Sequence, residues 1–158
     1  MRRFQLLTLL LCGLLAGCAE TDSTSTVTSV DASSSKNSPA IDLNPATLEK
    51  LSSWDETSRA SAELTKQLAA IMAEIQDTES ASAAIEKLRD LAPKFAAVNR
   101  AEKAFGEPSK EDRTLVLKNL ADAHKAFDAA YSPLIENEEL KAIVGQAIDD
   151  AYVGNVTE

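Results

Sequence analysis

The sequence predicts an all-α domain, an antiparallel up-down bundle of three to four helices, and three observations predict it. From Ile41 onward Gly and Pro are sparse while Ala, Leu, Glu and Lys dominate, and these are strong helix formers. Apolar residues recur there at spacings of three and four, the period of one helix face. No window alternates with period two, so no sheet is expected. The short turns between helical stretches favour antiparallel neighbours.

Asn44-Pro45 reads as an N-cap followed by proline at the first helical position. Leu48, Leu51, Trp54, Leu64, Leu68, Ile71 and Ile75 continue one apolar face from there, and predict a single first helix up to the polar stretch Asp77-Thr78-Glu79-Ser80. The second helix carries Ile85, Leu88, Leu91, Phe95, Val98 and Phe105, with Gly106 as a natural C-cap. Pro93 inside it removes the bond to the Arg89 carbonyl and predicts a kink.

Ser109-Lys110-Glu111-Asp112 resembles a capping box with Asp in place of Glu. It opens a third helix whose expected seam is Leu117, Leu120, His124, Phe127 and Tyr131. Ser132-Pro133 should stop or kink that helix, and the last one uses Leu140, Val144, Ala147 and Ala151. The count is four if Pro133 breaks the chain cleanly and three otherwise. A tight hairpin at Gly106 would set Glu102 against Arg113, Phe95 against Leu120 and Leu91 against His124. His124 would then bond a carbonyl freed by Pro93, or Asp128 one turn away. Trp54, Tyr152 and the Ala-rich faces around Ala69, Ala83, Ala96 and Ala129 could offer a surface for another helix, but read as internal packing.

The chain ahead of this domain has a different character. Met1-Arg2-Arg3 is basic, and Phe4 to Ala16 is apolar except for Gln5, Thr8, Cys12 and Gly13. Basic start, apolar middle and small residues before a cut site describe a secretory signal. The apolar run is about a dozen residues, short of the ~20 a spanning helix needs. It closes on Leu15-Ala16-Gly17-Cys18 instead of an Ala-x-Ala-like site.

That tetrapeptide, with its leader, resembles the lipobox of bacterial lipoproteins. The resemblance implies that Leu15, Ala16 and Gly17 are read by the signal peptidase, which cuts between Gly17 and Cys18. It also implies a thioether-linked diacylglycerol on Cys18 and a fatty acyl group, such as palmitate, on the new amino terminus. Each buried methylene contributes ~0.8 kcal/mol, so two or three such chains anchor a protein firmly where one does not. By the sorting pattern of enterobacterial lipoproteins, Ala19 and Glu20 in place of an aspartate after the cysteine imply the outer membrane. The implied localisation is the cell envelope.

Three parts result: residues 1–17 as a cleaved leader, 18–40 as the lipidated cysteine and a tether, and 41–158 as the helical domain. The tether is rich in Ser and Thr and has no apolar periodicity, so it buries too little apolar surface to offset its ordering entropy and is expected to be disordered. A flexible coil of its length reaches about 25 Å on average. The remaining stretch of ~118 residues is one domain by length.

Several chemistries are excluded by residue type. If, as the resemblance implies, Cys12 leaves with the leader and Cys18 carries lipid, no thiol remains for a disulfide or a metal. His124 is the only histidine; a zinc site would therefore need carboxylates from several helices. Ala121 stands where a di-iron Glu-x-x-His motif needs Glu. Calcium-loop, Gly-x-Ser-x-Gly and phosphate-loop patterns are missing. No catalysis, metal or cofactor is expected. The net charge is −9, and losing Arg2 and Arg3 with no acid in the leader takes it to −11, which repels phosphate backbones and argues against nucleic acid.

The reading that follows is a non-catalytic, membrane-anchored interaction or accessory module, held to lipid through acylated Cys18 and serving a protein partner in the envelope. The alternative is a carrier of a small ligand or cofactor, such as haem, in the bundle interior. His124 and Met72 would then be the candidate axial ligands. Covalent haem is excluded, since no Cys-x-x-Cys-His occurs.

Overall fold

The computed structural model describes the backbone of residues 40–152 and the side chains of residues 40–148. The described residues are all-α, with no strand among them. They form a one-turn helix α1 (Pro45–Leu48) and four longer helices: α2 (Trp54–Ala73), α3 (Thr78–Phe105), α4 (Lys110–Glu136) and α5 (Glu138–Tyr152).

The helix boundaries are written in caps. Asn44 caps α1 by accepting the Ala46 N–H, with Pro45 at the first position as expected. The expected single first helix is in fact two, because the chain leaves the helix after Leu48 and restarts at Trp54. Ser53 accepts the Glu56 N–H, and the Glu56 carboxylate reaches back to the N–H (2.8 Å) and hydroxyl (3.1 Å) of Ser52. This is a Ser-x-x-Glu start signal, and it lies within an apolar spacing that runs on through the break. Reciprocal capping boxes open α3 (Asp77 with Ser80) and α4 (Ser109 with Asp112). Gly106 closes α3 at φ 76°, ψ −148°, a backbone region essentially reserved for glycine.

Both internal prolines lie on solvent faces. Pro93 and Arg89 are exposed, as are Pro133 and Ala129, so water can serve the carbonyl each proline deprives of its donor. Accordingly α3 runs unbroken through Pro93. Helix α4 continues past Pro133 to Glu136, and the break falls at Asn137, whose extended backbone ends α4. The Asn137 side chain then accepts from the N–H groups of Glu139 (3.0 Å) and Leu140 (3.3 Å) at the head of α5. The bundle therefore has four long helices.

Consecutive helices alternate in direction. Trp54 at the start of α2 meets Phe105 at the end of α3, with ring centroids 5.6 Å apart at 74°. Asn119 of α4 bonds to residues at the start of α2, while Met72 near the end of α2 shares a cluster with Leu134 near the end of α4. Helices α2 and α4 are thus parallel, and their pairing is the most extensive in the fold. Further pairings are α2 with α3, α3 with α5, α4 with α5, and α1 with α3. The spatial order is α3–α2–α4–α5, so α2 lies between the two helices joined by the Gly106 turn.

Side-chain size explains that order. Ser58 of α2 meets Asn119 of α4 directly, and Ala62 and Ala69 on α2 and Ala123 on α4 are buried at helix-face spacings from that pair. Small residues let two helix backbones approach closely, and this pairing is the most extensive in the fold. The hairpin pairings expected across Gly106 do not form. Leu91 instead lies in a buried cluster with Leu48, Ala60, Leu64, Ala97 and Val98, and Phe95 packs on its edge. A second cluster joins Met72, Ile75, Ala81, Ala84, Leu134, Leu140, Val144 and Ile148. The expected α4 seam holds only in this lower half, where Phe127 and Tyr131 pack on the cluster. In the upper half Leu117 is 47% exposed, and Ala123 supplies the buried contact instead. Of the Ala-rich faces, Ala69 is buried but Ala83 and Ala129 face solvent.

Candidate functional site

The polar groups that do not simply face water gather at the upper end of the bundle. Thr57 and Ser58 are its two buried polar residues among those described, and adjacent positions send them to different neighbours. Ser58 donates from Oγ to the Asp55 carbonyl (3.0 Å) and accepts from Asn119 Nδ2 (2.8 Å). The same Asn119 nitrogen donates to Asp55 Oδ1 (3.2 Å), and Arg59 Nη1 is 3.7 Å from Asp55 Oδ2. This network ties α4 to α2.

Thr57 looks the other way, toward α3. Its Oγ1 is 3.2 Å from the Ser53 carbonyl and 3.4 Å from that of Trp54, and it also bonds the Glu102 carboxyl. Burial pushes Glu102 above the ordinary glutamate range, and the Thr57 hydroxyl offsets this only in part. One hydroxyl proton serves one acceptor at a time, so an ionised Glu102 competes with the α2 backbone for it. A protonated Glu102 supplies its own donor. Arg113, expected opposite Glu102, instead donates from Nε to the Pro108 carbonyl at 3.2 Å.

Chemically, the Ser58 hydroxyl is committed to a backbone acceptor and the Thr57 hydroxyl is shared between backbone carbonyls and the Glu102 carboxyl. An activated nucleophile needs a base within about 2.6–3.2 Å, and the proton of Ser58 goes to a carbonyl instead. Among the described residues no group of three or more His, Cys, Asp or Glu is placed to hold a metal ion. No described helix is long and apolar enough to cross a membrane.

The residues singled out from sequence fall in separate places. Leu15, Ala16, Gly17 and Cys18 lie outside the described residues. Met72 is fully buried in the lower cluster with Leu134, whereas His124 is half-buried on α4 and belongs to neither cluster. From His124 to Leu134 the helix rises about 15 Å. The bond expected between His124 and the carbonyl freed by Pro93 does not form, because Arg89 faces solvent and α4 packs on α2 and α5. Asn119, Thr57 and Ser58 carry buried or part-buried polar contacts between helices and were not signalled by any motif, while exposed ion pairs join Arg100 of α3 to Glu49 after α1 and Lys87 of α3 to Glu74 after α2. The one available hint was Asn119, a polar residue four before Ala123 on an otherwise apolar face.

No protein-family model matches the chain, and no match is found among curated proteins or among solved structures.

Proposed function

We propose that this chain is a bacterial lipoprotein: a lipid-anchored helical bundle that serves as a non-catalytic interaction or accessory module of the cell envelope. The observation that carries the reading is Leu15-Ala16-Gly17-Cys18 at the end of a basic-then-apolar leader. Two or three acyl chains on Cys18 would hold the protein on a membrane without a spanning helix. The Ser/Thr-rich stretch that follows Cys18 in the sequence lies outside the described residues and would serve as a linker between anchor and bundle. By the enterobacterial sorting pattern, Ala19 and Glu20 direct it to the outer membrane. The bundle's polar interior contacts serve packing, and its acidic surface suits a protein partner better than an anionic one.

The carrier alternative gains no support, since Met72 and His124 do not converge on a common space. The test is Cys18→Ala, followed by palmitate labelling and membrane fractionation. The reading expects loss of label, loss of cleavage at residue 18, and no mature-length species in the membrane fraction. A mature-length variant that still sediments with membranes would overturn it.

A further inference from the structure

We draw no further inference here: the strongest candidate, the half-exposed apolar strip of Leu115, Val116, Leu117 and Leu120 on the first half of α4, carries none because nothing in the structure shows what covers it.

Discussion

Replacing Asn119 by Ala tests how α4 finds its neighbour. The substitution removes a 2.8 Å bond to the buried Ser58 hydroxyl and a 3.2 Å bond to the Asp55 carboxylate. A net hydrogen bond contributes about 1 kcal/mol, and a buried group left short of a partner adds to the loss. Asp55 is 44% exposed on its side chain and recovers water, so its share is discounted. The expected cost of Asn119→Ala is therefore about 1.5–2 kcal/mol. Ser58→Ala should cost about 1 kcal/mol, and the double variant less than the sum by about 1 kcal/mol, because the shared bond is lost only once. Urea unfolding of the unlipidated chain, followed by circular dichroism, reads these differences as midpoint shifts at constant slope. In a domain of this size 1 kcal/mol moves the thermal midpoint by about 3–5 °C. Independent sites add within about 0.3–0.5 kcal/mol. A coupling inside that margin would refute the α2–α4 pairing, and is what a simple α3–α4 hairpin requires.

Other substitutions separate core from surface. Leu64→Ala, at a fully buried position of the upper cluster, should cost about 3–5 kcal/mol, whereas Leu117→Ala should cost under about 1 kcal/mol in the same assay. Gly106→Ala should destabilise by about 1–3 kcal/mol through backbone strain alone, since a Cβ there meets no atom within 4 Å; an unchanged midpoint would mean the turn readily adopts another conformation. Glu102→Gln should stabilise the bundle at neutral pH. The wild-type carboxyl is raised in the folded state, so its contribution is present below the ordinary glutamate pKa and is lost as pH rises through the folded value. Thermal midpoints between pH 4 and 7 should therefore flatten in the variant. Asp77 and Glu56 act with the opposite sign. The Ser80 hydroxyl and N–H hold the first below its usual value, and the Ser52 N–H and hydroxyl hold the second, so their support is lost as pH falls through those lowered values.

Much of the fold was legible because caps and periodicity are local. The Ser109–Asp112 box, the Gly106 cap and the Leu140–Val144–Ala147 face can each be read without knowing any neighbour. The restart at Ser53 was also written locally, as Ser53-x-x-Glu56, but an apolar spacing continued across it and masked the signal. Pro133 left the helix count open for a different reason. A proline inside a helix can either kink or end it, and sequence alone did not show that Ala129 would face water, where the freed carbonyl costs less.

What periodicity cannot supply is the identity of a face's partner. In the upper half α4 is tied to α2 through Asn119, Ser58 and Asp55, polar residues that a hydrophobic scan does not weigh. Leu117 and Leu120 drew the expected seam toward themselves instead. The contacts of Glu102 with Thr57 and of Asn119 with Ser58 join different helices, so only the assembled bundle reveals them. The proposed lipobox is the opposite case: its four residues are contiguous and need no fold to be read.

The measurement that tests the account most directly is the intact mass of the protein expressed in a bacterial envelope and extracted in mild detergent. The account predicts a chain that begins at Cys18, lacks residues 1–17, and is heavier than its sequence by a diacylglycerol and an acyl group. A chain that retains the leader, is cut elsewhere, or begins at an unmodified Cys18 would contradict it.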